Sequence, residues 1–160
     1  MKILGIDPGT GIVGFGVIES QKGKYKLLDG GVIRTPAHQA DELRLHTIYT
    51  SLIEIIELHS PDVMAVEKLF FARNVTTAMS VSQARGVILL SGTISGIPIA
   101  EYTPLQIKQS LTGYGRAEKS QIQEMVKILL KLKEVPKPDD CADAIATALT
   151  HAHTLQIPSM

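Results

Sequence analysis

The spacing of apolar and polar positions changes several times along the chain, and each change marks an element. KILGID, Lys2 to Asp7, is a short apolar run closed by a carboxylate and then Pro8-Gly9. That is the pattern of a buried strand ending in a turn. In GIVGFGVIES, Val13, Phe15 and Val17 alternate with Gly14, Gly16 and Ile18. This predicts a second strand with glycines on one face, where another backbone or a ligand comes close. KYKLLDGGVIRT supplies a third strand, so the first three elements form an antiparallel meander. Leu43, Ile48, Leu52, Ile55 and Ile56 then recur at helical spacing within ADELRLHTIYTSLIEIIELHS. Val63 to Val66 is fully apolar, as expected of a central strand covered on both faces.

A helix through NVTTAMSVSQARGVILLSGTIS carries Ala78, Ser82 and Gly86 four residues apart. This small-residue face suits close packing, either in the core or across a dimer. IPIAEY is a fifth strand. TPLQIKQSLTG begins a helix, with Thr103 as N-cap and Pro104 at its first position. Helices in RAEKSQIQEMVKILLKL and PDDCADAIATALTHAHTL follow, separated by the proline-punctuated KEVPKP. The expected class is α/β. Its sheet is mixed and five-stranded, three antiparallel strands followed by parallel ones joined through helices on its faces.

Composition narrows the picture without identifying a chemistry. The 160 residues fit one domain, residues 1–160, with room for a sizeable core. The 44% hydrophobic and 20% charged fractions are ordinary for a soluble globular protein. No apolar run approaches the roughly 20 residues of a membrane span, and the first residues enter a strand directly, so no leader segment is expected. The single Cys141 argues against a disulfide framework or a cysteine-built zinc site, and it suits a reducing cytoplasm. Formal net charge is zero, which by itself disfavours a nucleic-acid partner. The charge is unevenly spread, however. His38 to Glu67 holds six acids against one base, Arg44, whereas Pro104 to Lys137 holds seven bases against three acids. A local basic surface is compatible with that distribution.

The acids carry the candidate chemistry. Asp7 alone reads as a turn residue. Glu67, however, directly follows the apolar VMAV, and Asp140 and Asp143 are three apart on one helix face. Asp139, after Pro138, makes the better N-cap of that helix. Strand-end and helix-face acids gathered in one small core repel one another unless a cation neutralises them. Carboxylates without Cys or His partners suit Mg²⁺ or Mn²⁺. Two such ions about 4 Å apart serve phosphoryl chemistry. His151 and His153 lie beyond the acid pair on the same helix and read as structural or surface residues.

Five blocks in order carry a family resemblance: GIDPGTGIVGFG, VEKLFFARN, SQARGV, PLQIKQSLTGYGRAEKSQI and DDCADAIATALTHAH. In register from Lys2 to His153, the chain resembles the RuvC family of bacterial Holliday-junction resolvases, nucleases with an RNase H-like fold. The resemblance implies a cytoplasmic, homodimeric, Mg²⁺-dependent endodeoxyribonuclease with two ions per subunit, Mn²⁺ substituting. It would resolve four-way DNA junctions in recombination and repair by paired symmetric nicks, leaving 5′-phosphate and 3′-hydroxyl ends. A branch-migration complex of RuvA and RuvB is an implied partner. The implied catalytic and metal-binding acids are Asp7, Glu67, Asp140 and Asp143; the resemblance, not the spacing, selects Asp140 over Asp139. It also points to Lys108 and Lys119 near the scissile phosphate or the DNA backbone, and to Phe70 as an aromatic at the junction centre, with Phe71 its neighbour.

The residues themselves agree with these roles. An exposed ring after Glu67 can stack on or wedge between bases. Arg73 and Asn74 suit phosphates or sugars, and Arg116 in TGYGRAEK lies in a loop suited to face DNA. Paired incisions by one acid cluster per subunit call for a two-fold dimer. The D-x-G-T turn also occurs in actin-like ATPases and sugar kinases, but those need two such domains and a second phosphate loop. Related nucleases of ribosomal RNA precursors are shorter and lack the EKLFFARN and TGYGRAEK blocks. A non-catalytic junction binder gains nothing from four acids facing phosphates.

Overall fold

A computed structural model describes residues 1–9, 11–68 and 75–156. Five strands are assigned: β1 (Lys2–Asp7), β2 (Ile12–Gln21), β3 (Lys24–Arg34), β4 (Val63–Glu67) and β5 (Ile99–Tyr102). Five helices accompany them: α1 (Asp41–His59), α2 (Val75–Ile94), α3 (Pro104–Thr112), α4 (Lys119–Leu129) and α5 (Asp139–Thr154). The sheet order is β3-β2-β1-β4-β5. β1 pairs antiparallel with β2, and β2 with β3, while β1–β4 and β4–β5 are parallel. The expected mixed sheet is therefore the one observed. No helix among the described residues is long and apolar enough to cross a membrane.

The apolar run of β4 explains its central place. Val63 to Val66 are all 6% exposed or less, a burial that only a strand covered on both faces achieves. Side chains alternate between two cores. Leu4, Ile6, Met64 and Val66 join α1 and α2 on one face. Ile3, Val63 and Ala65 join α3, α4 and α5 on the other. In α1 the buried stripe is Ile48, Leu52 and Ile56, whereas Leu43, an apolar position of the helical pattern, is 51% exposed one turn earlier.

The glycines of β1 and β2 determine how close α5 comes. A Cβ on Gly5 would fall on the carbonyl oxygen of Ala144, one on Gly14 on the carbonyl oxygen of Asp140, and one on Gly16 on the side chain of Ile145. The glycine face admits another backbone, and that backbone is α5. The helix answers with Ala144, Ala146, Ala148 and Ala152 and with Ile145 and Leu149, all nearly inaccessible.

Helix starts show which local readings hold. Thr103 caps α3 as expected: its Oγ1 accepts from Gln106 N at 3.1 Å, and Gln106 Oε1 accepts from Thr103 N at 2.8 Å. α4 begins at Lys119, with Arg116 and Ala117 still in the connecting loop. The expected Asp139 cap of α5 is corrected. Pro138 occupies the extended cap position, so Asp139 is the first helical residue and its Oδ1 accepts from Gln123 Nε2 at 3.0 Å. An acid there still favours the positive end of the helix dipole.

Gly14→Ala tests the close approach. The added methyl meets a backbone oxygen, which no rotamer change relieves. The substitution should destabilise the protein by about 3 kcal/mol, lowering the melting temperature by ~6–12 °C. An unchanged thermal melt would contradict the packing described.

Candidate active site

Two strand ends and one helix start form the site. Asp7 is the last residue of β1, opposite Gly14 of β2. Ile6 pairs with Val66, so Glu67 ends β4 directly beside Asp7. Period-two alternation puts Asp7 on the same face as Ile3 and Gly5, and Glu67 on the same face as Val63 and Ala65. This is the face that α5 covers. Because α5 rests with its Asp140 backbone on Gly14, its first turns carry Asp140 and Asp143 to the same end of the sheet.

Electrostatics record the crowding. Burial, reinforced by the charge and hydrogen bond of Glu67 and by the charges of Asp143 and Asp140, pushes the Asp7 pKa up to about 9. Asp7 thus carries a proton at neutral pH and donates it to the Glu67 carboxylate. Burial also raises Glu67, opposed by that hydrogen bond and by Lys119 and Lys108, while Asp143 adds to the rise. Burial raises Asp143 too, against the pull of Lys119, whose Nζ lies 3.2 Å from its Oδ2. The same ammonium stands 3.4 Å from Asp139 Oδ2. Burial works against the charge of Lys119, but its contacts with Asp143 and Asp139 outweigh that and raise its pKa.

Some of these groups border a cleft of about 250 Å³. Glu67, Asp143, Lys108 and Lys119 line it, with Ile107, Ile122 and Ala146 as an apolar wall. The four acids and both lysines of the sequence reading therefore meet at one end of the sheet. Arg116 is exposed on the α3–α4 loop and is not among the cleft residues. Phe70, Arg73 and Asn74, with Phe71, lie outside the described residues. His151 and His153 have structural partners: His151 Nδ1 is 2.7 Å from Tyr102 Oη, and His153 Nδ1 is 3.1 Å from Ser110 Oγ. Burial lowers the His151 pKa, consistent with a neutral ring. Sequence reasoning missed Asp139 as a second anchor for Lys119. The available signal was its place one residue before the acid pair.

The donor set is all oxygen, suiting a hard divalent cation. Among the described residues, no three His, Cys, Asp or Glu side chains already stand in a ligating cluster. One carboxylate shares its proton and another leans on a lysine, both of which reduce like-charge repulsion. The residues fit a divalent cation, which the carboxylates of Asp7, Glu67, Asp140 and Asp143 would hold and whose charge would offset their mutual repulsion.

The raised Asp7 pKa has a sign that can be tested. Its folded value, about 9, lies above the unfolded one, 3.8. Its contribution is therefore full below about pH 4 and is lost as pH rises through 9. In chelator, Asp7→Asn should melt at or above wild type at pH 8–9, by ~2–4 °C per kcal/mol of relieved repulsion. The gap should narrow as pH falls and close only near pH 4. Thermal melts across that range check it; a variant melting well below wild type at pH 9 would contradict the assignment.

Comparisons with known proteins agree with this architecture. The family model "Crossover junction endodeoxyribonuclease RuvC" matches residues 3–151. The protein of that name from Brevibacillus brevis is 56% identical, over 95% of this chain and 92% of its own. The structure of Thermus thermophilus RuvC in complex with Holliday junction substrate superposes with a TM-score of 0.93 at 38% identity, covering 98% of this chain and 95% of that one. The yeast mitochondrial Holliday junction resolvase, at 15% identity and a TM-score of 0.70, shares the fold, covering 94% of this chain and 77% of that one. With its RNase H-like sheet and a family match across nearly its whole length, the chain belongs to the RuvC family of crossover junction endodeoxyribonucleases.

Proposed function

We propose that the chain acts as a homodimer and cuts four-way DNA junctions by paired nicks. In this reading Asp7, Glu67, Asp140 and Asp143 hold two Mg²⁺ ions. The observation that carries it is the mutual electrostatic crowding of the four acids at one sheet end, where Glu67 and Asp143 line a cleft shared with Lys108 and Lys119. Bound divalent ions would supply the Lewis-acid charge that makes water a nucleophile and stabilises the leaving oxygen, giving 5′-phosphate and 3′-hydroxyl ends. The protein's contribution is positional. Asp7 and Glu67 are fixed on adjacent strands, so their separation is set by the sheet. Asp140 and Asp143 are fixed by helix packing on glycine. Lys108 and Lys119 give the cleft a cationic wall where a scissile phosphate would enter, and Lys119 exchanges its carboxylate contacts for that phosphate. Phe70 is assigned to the junction centre, and Arg73, Asn74 and Arg116 to the DNA backbone.

A second surface supports the dimer. On α2, Met79, Leu90 and Ile94 are 65%, 52% and 60% exposed. Ser82 is exposed on the same helix, and Gly86 has open space where a Cβ would lie. An exposed apolar stripe with a shallow centre suits a two-fold copy of itself.

The test is a synthetic four-way junction and a matching linear duplex, each with and without Mg²⁺. Paired, ligatable nicks should appear in the junction only, and only with the metal. L90R, which places a charge in the α2 stripe, should sediment as a monomer and lose pairing, producing single nicks. Equal cutting of the linear duplex, or full activity in chelator, would sink the proposal.

A further inference from the structure

Arg44 is the sole Lys or Arg in the most acidic segment of the chain, where six carboxylates lie between His38 and Glu67. Among the described residues it forms an ion pair with none of them. Its Nε instead donates to Thr35 Oγ1 at 3.0 Å, and Thr35 is nearly buried at 7% exposure. The Thr35 amide donates to Gly11 O at 2.9 Å, and the Arg44 guanidinium lies against Gly11, with Nη2 3.6 Å from where a Cβ there would be. A half-buried guanidinium is thus oriented by a hydroxyl and laid beside the turn that follows Asp7. Gly11 is four residues from that carboxylate.

Desolvating a cation without a partner costs free energy. With Nε engaged, the two terminal nitrogens keep the planar pair of donors that matches two phosphate oxygens. Position supports the same ligand. Arg34 and Ile12 pair at the Asp7 end of the sheet, and α1 starts shortly after, on the face opposite α5. Lys108 and Lys119 lie on the α5 face of that same end. Cations therefore stand on both sides of the carboxylates.

We propose that Arg44 binds a backbone phosphate of the bound DNA flanking the scissile one, on the α1 side of the sheet. A strand crossing the acid cluster is then held at two points. This is a positioning role, and it rests on the DNA-cutting function proposed above.

The experiment compares the full-length wild type, R44Q and R44K for binding to a synthetic four-way junction. Binding is measured in chelator over a range of KCl concentrations, with thermal melts and cleavage kinetics alongside. Losing one phosphate contact should lower the salt slope of log affinity by about 0.9 and weaken binding by roughly three- to tenfold at moderate salt. R44K should recover the slope but not the full affinity. In cleavage the loss should fall mainly on KM for the junction and less on kcat, since Arg44 is placed away from the reacting atoms.

An R44Q that melts earlier but keeps the wild-type slope would overturn the proposal and leave Arg44 a clamp on the turn. Should R44Q not fold, R44M decides. Single neutral methylphosphonates placed near the cut should include one whose cost in wild type shrinks severalfold in R44M. Additive costs at every position would overturn it. A wild type that binds no junction would count against the function instead, before any variant is compared.

Discussion

The whole site depends on one steric permission. α5 lies with its backbone against the sheet because Gly5, Gly14 and Gly16 carry no side chain there. Any Cβ at these positions would lift the helix and move Asp140 and Asp143 away from Asp7 and Glu67. Close packing is therefore also the device that sets carboxylate spacing. The buried small residues of α5 answer the glycines, so the contact is specified from both sides. A core with this density transmits a one-methyl change directly to the site.

That same proximity crowds like charges together. Asp7 keeps a proton well past neutrality, Glu67 accepts it, and Asp143 leans on Lys119. Each arrangement relieves repulsion among the carboxylates. The stability surrendered here is the usual cost of a site built for a ligand rather than for the fold. Arg44 shows the reverse case, a cation held without a carboxylate close to the same sheet end.

Much of this was readable from sequence, for local reasons. The unbroken apolar run before Glu67 could only be a central strand, which placed Glu67 beside Asp7. Thr103-Pro104 announced its helix because capping is decided within one turn. The glycine face of β2 foretold a close approach, though not that α5 would fill it. What stayed hidden depended on contacts distant in sequence. Asp139 has the composition of a cap, but Pro138 takes that place and Asp139 turns to Lys119 and Gln123. Arg44 entered the sequence reading only as the one base among six acids, and only the return of β3 past the Asp7 turn brings Thr35 to it.

The central claim is that Asp7 holds a proton in the place of a cation. Calorimetric titration of Mg²⁺ into the protein near pH 7.5, in buffers of different ionisation enthalpy, tests it most directly. A group with a pKa of about 9 is mostly protonated there, so metal binding should release about one proton per subunit. Asp7→Asn should abolish that release. Mg²⁺ binding to wild type with no proton released, or no saturable binding at all, would contradict the account.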